Sequence, residues 1–379
     1  MRGSLRKLLV TALVLVVLGA LIYRSRGAIK LEDFSWERLG RSVRQARGWL
    51  LLASLATIFV SYAVRALRWV RFSRYLGQTN FWNVYASTLI GFTAVFLLGR
   101  AGEPVRPLVI ARKERLGVSS MFGIYVLERL FDTASTAVIA GLALLVFPGM
   151  PSTGGANLAW EARARTTGLL LLVGLLAAVA SLVYFRLHGA EALGRHMAEW
   201  RVLPGWKRRL AGVFTGFSEG LQAIQSWADL FAAVGYSAVH WVLVSLIYLW
   251  VARSFGGRLA EMDYAGAMLV LAFTMVGSTL QLPGVGGGSQ VASFLAFTGV
   301  FGVEKEPAAA ASIVLWLITF AASSLAGVPL LIREGWSMGE LRRLARAEAE
   351  AKAAGTHADV PGVPREKRGE PAKPGEAPR

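Results

Sequence analysis

Leu97-Leu98-Gly99-Arg100-Ala101-Gly102-Glu103-Pro104-Val105-Arg106-Pro107 interrupts a long apolar stretch with two glycines, two prolines and three charged residues. Glycine and proline both disfavour a continuing helix. Charged, non-helical backbone is tolerated at membrane depth only where protein or a water-filled cavity surrounds it. The stretch is therefore either a loop outside a membrane or the floor of a site within one.

The chain as a whole is too apolar for an ordinary soluble protein. Its 379 residues are 54% hydrophobic and 17% charged, with a mean hydropathy of +0.48, whereas soluble proteins carry about a quarter charged residues. Several apolar runs approach the ~20 residues that cross a bilayer as a helix. The sequence predicts an all-α fold, a polytopic membrane helical bundle of about 6–8 transmembrane helices.

The net charge of +17 does not indicate a nucleic-acid-binding protein, because the basic residues flank hydrophobic runs instead of forming one stripe. Such residues set membrane topology and attract anionic lipid head groups. The chain has no cysteine, and its four histidines show no metal-ligand spacing. It also lacks the common hydrolase, protease and nucleotide-binding motifs. We expect no metal and no cofactor, and a transporter rather than an enzyme.

The distribution of charge predicts a topology with two re-entrant hairpins. The arginine-rich stretches 65–80 and 186–230 are expected to be cytoplasmic, and the weakly charged loop 148–165 external. Segment 81–113 must then leave and return to the cytoplasm, with its apex at 99–107. Segment 264–303 must begin and end outside, with its apex at 282–289. The apolar segments that support this topology are 8–23, 48–64, 81–99, 119–147, 166–185, 231–252, 264–281, 289–303 and 308–332.

The blocks 48–147 and 231–332 have similar lengths, similar positions of their Gly/Pro breaks and opposite orientations. This pattern is typical of an inverted repeat, in which broken helices form a site at the midplane. The alternative is that both breaks are ordinary loops between full spans. We expect one membrane domain, 1–335, followed by a short helical extension and a disordered basic tail, 336–379. Both termini are expected in the cytoplasm, and an interfacial amphipathic helix in loop 24–47.

Ionisable residues also occur within the apolar helix predicted over 119–147. Glu128, Arg129 and Asp132 lie about 15 Å from its inner end, and Arg129 and Asp132 are spaced to pair. Such residues indicate a functional site by default; the alternative is a neutralising ion network that joins helices. At the first apex, Arg106 and the free N–H groups of a half-helix could bind a phosphate. The alternative there is a turn stabilised by a Glu103–Arg106 pair.

The motifs at 98–107, 128–132 and 282–287 resemble the lysylphosphatidylglycerol synthase transmembrane-region family, also called flippase-like, over about residues 8–335. The resemblance implies a polytopic inner-membrane protein that moves lipids between leaflets. Arg100 belongs to the first motif, and Gln290 stands where the family commonly has a glutamate. The substrate-binding residues that this implies are Arg100, Gly102, Glu103, Arg106, Glu128, Arg129, Asp132, Pro283, Gly284, Gly287 and Gln290.

The aminoacyl-transferase domain of the full-length synthases is not expected, because about 45 mostly polar residues follow the last apolar segment. The expected function is therefore a flippase for an anionic, phosphate-bearing lipid of the aminoacyl-phospholipid or polyprenyl-phosphate type. One alternative is an intramembrane transferase that uses Glu103 or the Glu128/Asp132 pair as general base. Another is a membrane scaffold for a separately encoded lipid synthase.

Overall fold

The computed structural model describes residues 34–146, 165–174, 223–279, 281–282, 286–335 and 339. In these ranges the protein is an all-α bundle with five segments long and apolar enough to cross a membrane, which confirms the predicted fold class. The helices are α1 (Trp36–Gln45), α2 (Gly48–Ser73), α3 (Phe81–Leu98), α4 (Val105–Glu114), α5 (Val118–Val146), α6 (Arg165–Gly174), α7 (Trp227–Ser254), α8 (Gly257–Ala260), α9 (Tyr264–Gly277), α10 (Gly288–Leu295), α11 (Lys305–Trp316) and α12 (Ala322–Arg333).

Helices α2 and α7 form the centre of the bundle and run antiparallel. The backbone N–H of Arg47, before α2, donates to the carbonyl of Ser254 at the end of α7, at 2.8 Å. At the other end of α2, Arg71 forms an ion pair of 2.7 Å with Asp229 in the first turn of α7. Apolar side chains such as Ile247 fill the space between them. These contacts define two opposite faces of the bundle.

The Arg74 face is the one at which α2 ends and α3 begins. The N–H of Asn80, the N-cap of α3, donates to Glu114 at the end of α4 at 3.1 Å. Lys113 pairs with Glu334, just after α12, at 2.6 Å. Helices α2, α4 and α12 therefore end at this face, where α3 and α7 begin.

The opposite face, which we call the Glu306 face, carries the starts of α1 and α11. Glu306 is buried and accepts a hydrogen bond from the N–H of Ser35, the N-cap of α1, at 3.0 Å. It also pairs with Arg38 in the first turn of α1 at 3.0 Å. These contacts fix α1 to the bundle.

The first Gly/Pro stretch forms the apex of a helical hairpin that starts and ends at the Arg74 face. A 3-10 turn, Gly99–Gly102, joins α3 to α4, and the two helices are about 27 Å and 15 Å long at 1.5 Å per residue. A Cβ at Gly102 would overlap the carbonyl of Ala94 on α3. Glycine at this position therefore lets the turn fold back on its own helix, as the sequence predicts for 81–113.

The second hairpin starts and ends at the Glu306 face. It consists of α9, a pair of two-residue strands (Gln281–Leu282 and Gly286–Gly287), α10 and the π-helical turn Ala296–Val300. At its open end, Gly266 lies against the ring of Phe301. At its apex, a Cβ on Gly277 would overlap the carbonyl of Gly288, so the two arms approach closely there.

The apices of the two hairpins are in contact. Arg100 Nη2 donates to the carbonyl of Ser278 at 3.4 Å, and the strand Gln281–Leu282 packs against the turn Gly99–Gly102. The two Gly/Pro breaks therefore lie next to each other, and a site at the membrane midplane stays a prediction. The inverted repeat itself stays a prediction.

The predicted end of the second apolar segment at residue 64 is wrong, because α2 continues to Ser73. Apolar residues such as Trp69 and Phe72 alternate with the arginines and pack in the core, and the next glycine is Gly77. The helix predicted in loop 24–47 is present as α1. The predicted segment 8–23, the loop 148–164, residues 186–222 and the tail after residue 335, except for residue 339, lie outside the described residues.

Candidate functional site

Six charged side chains from three helices meet between α2, α4 and α5, and we call them the charge cluster. α2 contributes two of them, α4 one and α5 three. The ion pairs within the cluster are 2.5–3.7 Å long. Its members are Arg65, Arg68, Arg106, Glu128, Arg129 and Asp132.

Glu128 is the centre of the charge cluster. Its side chain is fully buried, and its Oε1 accepts hydrogen bonds from Arg65 Nε at 2.7 Å and Arg68 Nη2 at 3.1 Å. Arg106 binds both carboxylate oxygens, at 2.8 and 3.2 Å. A buried carboxylate is tolerated when several charge-assisted hydrogen bonds replace water. Glu128 therefore joins three segments that are far apart in sequence.

Asp132 lies one helical turn after Glu128 and shares two of its arginines. Its two oxygens accept from Arg65 Nη2 at 2.5 Å and from Arg68 Nη2 at 2.8 Å. Arg68 also donates through Nη1 to Ser237 on α7 at 2.7 Å. The cluster is thereby linked to the central antiparallel pair of helices.

Arg106 is held within the protein by more than its carboxylate partner. Its guanidinium carbon lies 4.4 Å from the centre of the Trp69 ring, a cation–π distance. On the other side, a Cβ at Gly91 of α3 would approach Arg106 Cβ to 2.6 Å, so glycine makes room for the stem. Arg106 pairs with Glu128 on α5, so the Glu103–Arg106 pair, which the sequence analysis considered as the alternative, is not formed among the described residues.

Arg129 is the one member of the cluster with a substantially exposed side chain, at 45%. Its contacts with the carboxylates of Asp132 and Glu128 are long, at 3.4 and 3.7 Å, and confirm the predicted Arg129–Asp132 pair. Its guanidinium lies 5.2 Å from the centre of the Tyr125 ring. Tyr125 in turn donates its hydroxyl proton to Glu103 at the first apex. The exposed edge of the cluster is thus connected to the hairpin apex.

The charge cluster carries more positive than negative charge. Its four arginines face two carboxylates, which leaves a formal excess of two positive charges. Arg68 Nε and Arg106 Nε are buried without a hydrogen-bond partner. Unpaired buried donors are costly unless another acceptor satisfies them. The surplus charge is complementary to a further anion, and Arg129 is the member of the cluster whose side chain is exposed.

The cluster lies inside the bundle, well away from both of its faces. Arg65 is about 12 Å from the end of α2 at Ser73, and Glu128 is about 15 Å from the start of α5, at 1.5 Å per residue. A hydrocarbon layer is about 30 Å thick. Ionisable residues at such depth normally serve a substrate or ion pathway.

The other predicted site residues that the structure describes lie at the two apices. Arg100 is exposed and reaches the second apex, and Gly102 is buried in the turn. The backbone N–H of Gly287, which has a φ of 99°, donates to Gln290 Oε1. Pro283 and Gly284 lie outside the described residues. The structure thus brings Arg106, Glu128, Arg129 and Asp132 together, and separates from them the apex residues Arg100, Gly102, Gly287 and Gln290.

Sequence reasoning assigned the two arginines of α2 to the cytoplasmic stretch 65–80, whereas both are buried in the bundle. It did not single out Ser237, the partner of Arg68, or Tyr125, the neighbour of Arg129. The stretch Arg65-Ala66-Leu67-Arg68-Trp69-Val70-Arg71-Phe72 has arginine at every third position and no glycine or proline. That pattern is typical of a helix with a charged stripe rather than of a loop. The pattern was present, but the acidic partners are 60 to 67 residues away.

Comparison with known protein families places the chain. The family model described as lysylphosphatidylglycerol synthase TM region matches residues 6–327. No curated protein matches the chain. The matched range contains the charge cluster and both hairpins.

Proposed function

Because the chain belongs to the family of the lysylphosphatidylglycerol synthase transmembrane region, we propose that it moves a lipid with an anionic, phosphate-bearing head group between the leaflets of a membrane. The lipid is of the aminoacyl-phospholipid or polyprenyl-phosphate type. We further propose that the membrane is the cytoplasmic membrane and that the Arg74 face is cytoplasmic, since α2 and the loop after it carry arginines there.

The charge cluster is the observation that carries this proposal. Its formal excess of two positive charges is complementary to a phosphate group, and Arg129 presents positive charge at the exposed edge of the cluster. Planar guanidinium groups suit phosphate oxygens because they donate two parallel hydrogen bonds. A phosphate in this position would compensate the surplus charge that the protein itself leaves.

Arg129 is the residue that we assign to the first contact with the head group. Arg65, Arg68 and Arg106 are buried and bound to carboxylates at 3.2 Å or less. Arg129 is half-exposed, and its internal ion pairs are long. A lipid phosphate could replace these weak pairs without exposing a bare carboxylate, because Glu128 and Asp132 keep their other arginines.

Lipid movement in reconstituted liposomes tests the proposal. Wild-type protein is expected to move head-group-labelled phosphatidylglycerol between leaflets without changing its mass. Arg129→Gln is expected to slow this movement about tenfold, the value of one charge-assisted hydrogen bond. Arg44→Gln, an exposed arginine on α1, is the matched control and is expected to move lipid at the wild-type rate.

The same preparation distinguishes the alternatives. An intramembrane transferase would change the mass of its lipid, and a scaffold for a separate synthase would neither change nor move lipid alone. Either result with correctly folded protein contradicts the proposal. Equal rates for Arg129→Gln and the wild type would contradict the role assigned to Arg129.

A further inference from the structure

A basic hollow lies at the Arg74 face, separate from the charge cluster. It has a volume of about 390 Å³ and lies between the end of α2, the following loop and α7. This volume is within the range of about 300–1,000 Å³ that small-molecule sites occupy. Residues that line it include Leu67, Val70, Arg71, Arg74, Gln78 and Tyr236.

The hollow carries one uncompensated positive charge. Arg71 pairs with Asp229 at 2.7 Å, and Asp229 also accepts hydrogen bonds from Ser226 within its capping box. Arg74 is exposed, and no carboxylate of the described residues lies within ion-pair distance of it. The polar side of the hollow therefore attracts an anion.

The other side of the hollow is apolar and continues along the outside of the bundle. Leu67 is 40% exposed, and Val60, two helical turns earlier on the same side of α2, is 53% exposed. An apolar strip of this kind on a membrane helix is suited to contact lipid chains.

We propose that this hollow binds the head group of an anionic phospholipid from the leaflet at the Arg74 face. Its phosphate lies against Arg71 and Arg74, and an acyl chain follows Leu67 and Val60. The apolar strip favours a lipid over free inorganic phosphate, which could use only the arginines. A zwitterionic lipid carries its own positive charge and therefore gains less from Arg74.

The hollow and the charge cluster both use arginines of α2. Arg65, Arg68, Arg71 and Arg74 follow one another at intervals of three residues along α2, about 4.5 Å apart in rise and each turned by about 60° from the one before. The hollow at Arg74 therefore lies about 13 Å along α2 from Arg65 and on the opposite side of the helix. The inference concerns the binding of an anionic phospholipid in the hollow and does not rest on lipid movement.

Hydrogen–deuterium exchange of the full chain in nanodiscs tests the inference. In phosphatidylcholine nanodiscs, added phosphatidylglycerol is expected to slow exchange at the backbone N–H groups of residues 74–79. In Arg74→Gln, the phosphatidylglycerol fraction that gives half of this effect is expected to rise roughly fivefold, the usual value of one arginine near an anionic lipid surface. Gln78→Trp fills the hollow without changing charge and is expected to act in the same direction.

Arg333→Gln is the matched control, because Arg333 is exposed at the end of α12 on the same face. It is expected to leave the effect at residues 74–79 unchanged. If Arg333→Gln and Arg74→Gln had equal effects, only the general surface charge would act and the site would be refuted. Protection of residues 74–79 by inorganic phosphate in pure phosphatidylcholine, equal to that by phosphatidylglycerol, would also refute a lipid site.

Discussion

Arg106 on α4 and Glu128 on α5 are joined by two hydrogen bonds, from Nη1 to Oε2 at 2.8 Å and from Nη2 to Oε1 at 3.2 Å. A planar guanidinium can make both bonds at once. The pair fixes the shorter arm of the first hairpin to a membrane-spanning helix. Arg106, which the sequence suggested as a phosphate ligand, therefore already has an anionic partner within the protein.

The first prediction concerns this pair. Arg106→Lys keeps the charge but loses the second hydrogen bond and the stacking on Trp69. We expect the free energy of unfolding to fall by about 1–3 kcal/mol, measured by SDS-induced unfolding in detergent. Arg112→Lys, on the same helix but with an exposed side chain, is the control. Unchanged stability of Arg106→Lys would show that the paired geometry has no structural role.

The second prediction compares the two carboxylates of the charge cluster. Glu128→Gln leaves Arg65, Arg68 and Arg106 facing a neutral amide, and we expect a loss of about 3 kcal/mol or more, typical for one half of a buried ion pair. Asp132→Asn is expected to lose less, because Asp132 has two close arginine partners and lies at the edge of the cluster. The measurement is again SDS-induced unfolding.

Glu37→Gln provides the control for these variants. Glu37 forms an exposed i,i+4 pair with Arg41 on α1, and such pairs contribute about 0.5 kcal/mol or less. We therefore expect Glu37→Gln to be the most stable of the three variants, Asp132→Asn to be less stable and Glu128→Gln to be the least stable. If Glu128→Gln were as stable as the wild type, Glu128 could not be the centre of the cluster.

Sequence reasoning predicted the hairpins because their signals are local. Gly99 to Pro107 breaks the helix through backbone effects that act within a few residues, and the breaks in the structure occur there. The Arg129–Asp132 pair was likewise predicted from a spacing of three residues within one helix.

The rest of the site depends on contacts that no local pattern specifies. Arg65 and Arg68 bind carboxylates more than 59 residues away, across the interface between α2 and α5. An arginine beside an apolar run is equally compatible with a membrane surface and with a buried ion pair. The choice between them depends on which helices pack together, and this is visible only in the folded chain.

The third prediction concerns the tight turn of the first hairpin. In Gly102→Ala, the added Cβ would overlap the backbone of Ala94 and Val95, so α3 and the turn must separate. We expect a loss of about 1–3 kcal/mol in the free energy of unfolding, the usual cost of overpacking. Gly40→Ala on α1 is the control, because a Cβ there meets nothing within 4 Å. A neutral Gly102→Ala would mean that the apex is not packed on α3.

The fourth prediction concerns the contact between the two apices. The chain has no cysteine, so an Arg100→Cys/Ser278→Cys variant carries a single pair of thiols. Arg100 Nη2 reaches the carbonyl of Ser278 at 3.4 Å, and a short bifunctional thiol reagent is therefore expected to link the two positions within one chain. Arg44→Cys/Arg333→Cys, at opposite faces, is the control and is expected to stay unlinked.

The same variant tests whether the apices separate during the proposed lipid movement. Alternating access in transporters with broken helices moves one part of the bundle against the other around a fixed site. If the apices form part of such a gate, the cross-linked protein is expected to move head-group-labelled phosphatidylglycerol far more slowly than the same variant without reagent. Each single-cysteine variant, treated with the same reagent, controls for its chemical effect. Lipid movement at full rate in the cross-linked protein would show that the lipid passes without separation of positions 100 and 278. The lipid path would then have to lie on the side of the charge cluster that faces away from the apices.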